Sequence, residues 1–135
     1  MGRILALDFG IKRVGVAVTD PLQIIASPYD TVKTTEIWTF LSVYFKKEQV
    51  ERLVIGMPVN LNLDETHATS LVKEFIINFK KKYPEIPVSE VDERFTSKLA
   101  KQTMIDGGLK KSKRSDKNMV DKISASLILQ TYLGI

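Results

Sequence analysis

The sequence predicts an α/β fold: a five-stranded mixed sheet, three antiparallel strands followed by two helix-connected parallel strands, with helices flanking it. Three observations carry this expectation. Up to Thr31 the chain reads as three strands in succession, separated by short breaks bearing Gly or Pro. From Glu36 onward, helical apolar spacing alternates with short apolar runs, the pattern of strands joined through helices. The 135 residues suffice for one domain with a real core but not for two of ordinary size, so a single domain over 1–135 is expected.

The elements follow in order. Arg3-Ile4-Leu5-Ala6-Leu7 is almost continuously apolar, as a central strand covered on both faces requires, and Asp8 stands where it ends. Val14-Gly15-Val16-Ala17-Val18 reads as the returning strand, making a hairpin whose loop of about four residues carries Lys12 and Arg13. Leu22-Gln23-Ile24-Ile25-Ala26 predicts a third strand running to Thr31. Glu36 to Glu48 is an amphipathic helix, with Ile37, Phe40, Leu41, Tyr44 and Phe45 at helical spacing. Leu53-Val54-Ile55-Gly56 is a short buried strand, closed by Met57-Pro58. Ala68 to Lys82 is a second helix, turning Leu71, Val72, Phe75, Ile76 and Phe79 inward and placing Lys80 to Lys82 where the helix dipole favours cations. Val88 to Val91 is the fifth strand. Thr96 caps a helix ending at Gly107-Gly108, and a last helix follows a basic loop.

Composition bounds the function. With 44% hydrophobic and 27% charged residues the chain reads as soluble and globular, and no apolar run approaches the roughly 18 residues of a membrane span. Met1-Gly2-Arg3 leads straight into a strand without a signal-peptide pattern, and cysteine is absent; both suit a cytoplasmic protein. Residues 1–109 hold 14 Lys/Arg and 14 Asp/Glu, whereas 110–135 hold 6 and 2, so the net charge of +4 lies in the C-terminal fifth. That asymmetry points to a polyanionic partner.

Three carboxylates then stand out. The first, fourth and fifth strands point the same way, so Asp8 and the pair Asp92-Glu93 share one sheet edge, where open α/β sheets bind ligands. Neighbouring strand residues face opposite sides, so only one of Asp92 and Glu93 faces Asp8. Asp121 falls on an apolar stripe of the last helix with Ala125, Ile128 and Tyr132, flanked by Leu129, while Lys122, Ser126 and Gln130 form a separate polar stripe. The bland alternatives are a turn cap for Asp8, an Arg94 pairing for the acid pair, and a helix-dipole role for Asp121. Taken together, three acids without cysteine suit Mg²⁺ or Mn²⁺, and two such ions can activate a water and stabilise a leaving oxygen in phosphodiester cleavage.

The cations complete the pattern. Lys110, Lys111, Lys113, Arg114 and Lys117, with Asp116 the one anion among them, precede Asp121; such a loop would contact phosphates without reading sequence. Lys12, Arg13 and Arg94 would add to that field. Asn60, after the fourth strand, suits a phosphate or water contact as well as an ordinary turn. His67 is read as structural, Trp38 and the phenylalanines as core, and no interleaved aromatic platform for single-stranded bases is present.

Four segments in order, DFGIKRVGVAVTD at Asp8 to Asp20, VIGMPVN at Val54 to Asn60, VDERFTS at Val91 to Ser97 and VDKISASLILQTYL at Val120 to Leu133, resemble the YqgF family, also called RuvX, over essentially the full chain. The resemblance implies an RNase H-like fold, metal-dependent phosphodiester cleavage and a part in maturing the 5′ end of 16S ribosomal RNA. It further implies an acidic triad of Asp8, Glu93 and Asp121, preferring Glu93 to Asp92. One departure falls after Asn60-Leu61, where Asn62-Leu63-Asp64-Glu65 replaces the family's Asp-Gly and following Ser/Thr-Glu. It leaves the triad intact and bears on whatever contact that loop makes with substrate.

The leading expectation is therefore a metal-dependent nuclease acting on precursor ribosomal RNA or a ribosomal particle, as a monomer or homodimer, with a junction-resolving DNA endonuclease as closest competitor. A nucleotide-binding protein of the actin-like kind would need a second domain for which 135 residues leave no room. A non-catalytic RNA-binding assembly factor would have no use for three retained acids.

Overall fold

The computed structural model describes residues 2–58, 67–92 and 117–134. Five strands, β1 (Arg3–Phe9), β2 (Arg13–Thr19), β3 (Ala26–Lys33), β4 (Val50–Met57) and β5 (Val88–Asp92), form one sheet in the order β3-β2-β1-β4-β5. β2 lies antiparallel to both β1 and β3, while β1, β4 and β5 run parallel, so the expected mixed sheet is present. Among the described residues three helices accompany it: α1 (Ile37–Lys47), α2 (His67–Lys82) and α3 (Lys117–Leu133), with a 3-10 turn at Thr34–Glu36 leading into α1. The helix expected from Thr96 to Gly107 lies outside the described residues. No helix among them is long and apolar enough to cross a membrane.

Strand alternation splits the sheet into two unlike faces. Leu5, Leu7, Phe9, Val14, Val16, Val18, Leu53 and Ile55 pack against Ile37, Leu41 and Tyr44 of α1 and Val72, Phe75, Ile76 and Phe79 of α2. This face is aromatic-rich: Phe75 lies 4.8 Å centroid to centroid from both Phe9 and Trp38, and 5.9 Å from Phe79. Ile4, Ala6, Ala17 and Val54 point the other way, onto Ala125, Ile128 and Leu129 of α3. Small residues line this second face, so α3 rides close to the sheet. Fully burying each large side chain contributes about 1.5–3 kcal/mol, and most of them sit on the first face.

Three expectations need correction. The third strand begins at Ala26 rather than Leu22, and Leu22, Ile24 and Ile25 are exposed. Asp20 is the reason: its Oδ1 accepts the N–H groups of Ile24 and Ile25 at 2.8 Å and its Oδ2 that of Leu22 at 3.2 Å, which folds the segment into a turn. Gln23 adopts φ 60° there, its side-chain amide donating to the Gly2 carbonyl and to Glu51. Secondly, Ser126 is buried rather than part of a solvated stripe, because its hydroxyl donates back to the Ile123 carbonyl at 2.7 Å. Thirdly, Tyr132 is exposed, its ring lying beside the Arg52 guanidinium.

Candidate active site

β1 continues through Phe9, so Asp8 occupies its penultimate position and alternates with Ile4 and Ala6 on the face covered by α3. Its register partner across the antiparallel ladder is Gly15. A Cβ built on Gly15 would lie 2.0 Å from the Asp121 carbonyl oxygen and 2.4 Å from its carbonyl carbon, distances no side chain can occupy. The missing side chain therefore lets α3 touch the sheet at Asp121, one strand over from Asp8. The sequence places Gly15 within the returning strand without assigning it a role. The signal that identifies it is a glycine inside an otherwise apolar strand, which marks a close backbone approach.

Asp121 and Arg13 meet across this contact. The Arg13 Nε donates to Asp121 Oδ2 at 2.9 Å, with the two side chains 32% and 24% exposed. Arg13, expected to face phosphate, is thus turned onto a carboxylate, whereas Lys12 beside it is exposed. The hairpin tip that carries both is fixed from two sides. Gly10 N–H donates to the Arg13 carbonyl at 2.8 Å, and Thr34 binds the tip through its N–H to the Lys12 carbonyl and its hydroxyl to the Gly10 carbonyl.

The β5 register places Asp92. Val91 packs with the α3-side cluster and Val88 with the opposite one, so Asp92 projects away from the face that holds Asp8 and Asp121. Asp92, which the residues alone left as an alternative to Glu93, is on the wrong side to join them. Glu93, Asn60, Arg94, Lys110, Lys111, Lys113 and Arg114 lie outside the described residues. Lys117 opens α3. Among the described residues no group of three or more acidic, His or Cys side chains gathers to hold a metal ion. Asp8 and Asp121, on one face and half-buried, offer hard carboxylate oxygens at the C-terminal end of a parallel strand, a donor set that fits Mg²⁺ or Mn²⁺.

Two openings flank the hairpin. A cleft of about 380 Å³ is lined by Gly10, Ile11, Lys12, Arg13, Ala68 and Asp121. A larger groove of about 810 Å³ shares Ile11, Lys12 and Arg13 and continues over Lys33, Thr34, Thr35 and Asn118, with the carboxylates Asp30 and Glu36 also in its wall. The hairpin cations are the common wall. Lys33, Thr34 and Thr35 were not singled out from sequence; they become neighbours of the site only because β3 pairs with β2 beside the tip.

Comparison with known proteins agrees with this architecture. A protein of Christiangramia forsetii named "Putative pre-16S rRNA nuclease" is 56% identical over 133 residues, covering 98% of each chain. One of the same name from Bacteroides thetaiotaomicron is 50% identical, covering 98% of this chain and 96% of its own. Among solved structures, Thermus thermophilus RuvC in complex with a Holliday junction substrate superposes with a TM-score of 0.59 over 99% of this chain and 97% of that one. At 17% identity that likeness is one of fold, and it makes the present fold RNase H-like. Residues 2–134 match the RuvX family, described as Holliday junction resolvase, and the chain belongs to that family.

Proposed function

We propose that this chain is a metal-dependent nuclease that hydrolyses phosphodiester bonds in precursor 16S ribosomal RNA, at its 5′ end, in the cytoplasm. Asp8, Glu93 and Asp121 would hold Mg²⁺ or Mn²⁺, which supplies an activated water and stabilisation of the leaving oxygen. The observation that carries this reading is the shared face: Asp8 sits opposite Gly15, and Gly15 receives the backbone of Asp121. Lys12 and the cations Lys110, Lys111, Lys113, Arg114 and Lys117 would bind phosphates without reading sequence, with Arg94 and Asn60 as further proposed contacts. Binding should therefore weaken steeply with salt. The relatives' shared name supports RNA as substrate. The family's description supports a second reading, cleavage of four-way DNA junctions at the same site.

One experiment separates the two. Labelled 16S precursor, free and within small-subunit particles, is incubated with the protein beside a labelled four-way DNA junction, in Mn²⁺ or Mg²⁺ against EDTA. Metal-dependent shortening of the RNA at its 5′ side is the expected result. Junction cleavage with the RNA intact would move the assignment to DNA, and no metal-dependent cleavage of any substrate would overturn the nuclease reading.

A further inference from the structure

We infer that Arg13 is a built-in counterion for Asp121, occupying the carboxylate while the metal is absent and passing to a substrate phosphate when the metal arrives. The inference rests on the reading of Asp121 as a metal ligand.

The geometry motivates it in three steps. Arg13 Nε stands 2.9 Å from Asp121 Oδ2, so the guanidinium is bonded to an oxygen that a divalent ion would coordinate. Two cations at one oxygen repel strongly where water is partly excluded, so metal and guanidinium compete. The pair is not locked in. Both side chains remain about a quarter to a third exposed, and only side-chain rotation is needed, because the backbone of the tip is held by the Gly10–Arg13 and Thr34 hydrogen bonds. Released, the guanidinium has somewhere to go: Arg13 lines both the cleft that contains Asp121 and the groove that runs on to Lys33 and Thr34. A planar guanidinium binds phosphate oxygens in a two-pronged fashion, and bound phosphate would draw it from the carboxylate.

Two consequences follow by linkage. Removing Arg13 frees Asp121 in advance, so metal binds more tightly. Metal and nucleic acid also promote each other's binding in the wild type, and reciprocally, because each displaces or captures the same guanidinium. That mutual gain shrinks when Arg13 is absent.

The test is a Mn²⁺ titration by calorimetry at fixed ionic strength on the wild type and on Arg13→Ala, Arg13→Gln, Lys12→Ala and Asp121→Asn. Thermal melts check that each is folded, and Arg13→Gln keeps the bulk of the side chain should alanine disturb the tip. Both Arg13 variants should tighten Mn²⁺ binding by about three- to tenfold. Lys12→Ala, which removes an adjacent exposed cation, should change it by less than about twofold at physiological salt. Asp121→Asn should weaken it by about tenfold or more. In parallel, the affinity for a hydrolysis-resistant phosphorothioate RNA oligonucleotide, followed by fluorescence anisotropy, should rise on adding Mn²⁺ in the wild type and rise less in both Arg13 variants. Unchanged or weaker Mn²⁺ binding in the Arg13 variants, with binding lost in Asp121→Asn, overturns the counterion role alone. Wild-type Mn²⁺ affinity in Asp121→Asn overturns the metal-site reading beneath it.

Discussion

The two faces of the sheet solve different problems with different residues. The α1/α2 face is filled by large side chains, among them Phe75, Phe79, Leu41 and Ile37, and supplies bulk. The α3 face presents Ala6, Gly15 and Ala17, and gives up side-chain volume for proximity. Proximity is what a carboxylate pair drawn from positions 8 and 121 needs, since two acids can share an ion only if their backbones approach. One sheet thus carries a stabilising face and a positioning face. Substitutions on the two should separate stability from site chemistry.

The largest effect on stability is expected from the bulky face. Phe79 is fully buried, and Phe79→Ala should cost about 3–5 kcal/mol in urea denaturation, leaving Mn²⁺ affinity little changed under conditions where the variant remains folded. On the lean face the ratio should invert. Gly15→Ala drives a methyl into the Asp121 backbone, so it should cost only about 1–3 kcal/mol of stability. Its effect on the site is larger, because α3 must lift: Mn²⁺ affinity should fall by about tenfold or more although every proposed ligand is retained. Equal losses in both variants would erase the distinction between the faces.

A smaller effect of opposite sign comes from α3 itself. Ser124 is buried, and its hydroxyl has no hydrogen-bond partner among the described residues. Ser124→Ala removes that unsatisfied group and should raise stability by about 1 kcal/mol, seen as a higher urea midpoint at unchanged slope. Ser126→Ala offers the contrast, since its hydroxyl is already satisfied within the helix.

The smallest effect lies at the opposite end of β2, is present at neutral pH and fades in acid. The Asp20 carboxyl is held below the usual carboxylate range chiefly by the Ile25 N–H, against an opposing desolvation, with Ile24 and Leu22 assisting. Because its folded-state pKa is depressed, the stability it contributes is present at neutral pH and is lost as pH falls below the ordinary carboxylate range through the depressed value. Asp20→Ala should therefore be the less stable protein at neutral pH, converge with wild type in acid, and leave Mn²⁺ binding untouched. A gap between the two that widens in acid would contradict this.

Much of this arrangement was legible in the chain. The apolar runs of β1, β2 and β4 and the helical spacing of α1 and α2 each report burial directly, so the mixed sheet and its strand directions follow. The start of β3 did not. Leu22, Ile24 and Ile25 look like a strand, but the Asp20 carboxylate offers their N–H groups a closer acceptor than a neighbouring strand, while Ser27, Pro28 and Asp30, which do pair with β2, are exposed on the sheet's edge. Ser126 misleads for a related reason, since a short hydroxyl can satisfy itself inside its helix and be buried. At the site, Asp8 and Asp121 were identifiable as carboxylates in apolar surroundings. The residues alone did not choose between Asp92 and Glu93; Val91, turned to α3, shows only that Asp92 faces the other way. Arg13 and Asp121 lie 108 residues apart and no local pattern pairs them.

The central claim, that Asp8 and Asp121 hold one ion between them, is tested most directly by Mn²⁺ titration of Asp8→Asn, Asp121→Asn and the double variant. If the two act together, each single substitution removes most of the affinity and the double variant is scarcely worse, a strongly non-additive cycle. Wild-type affinity in either single variant, or losses that simply add, would show that the two carboxylates share a face without sharing a metal.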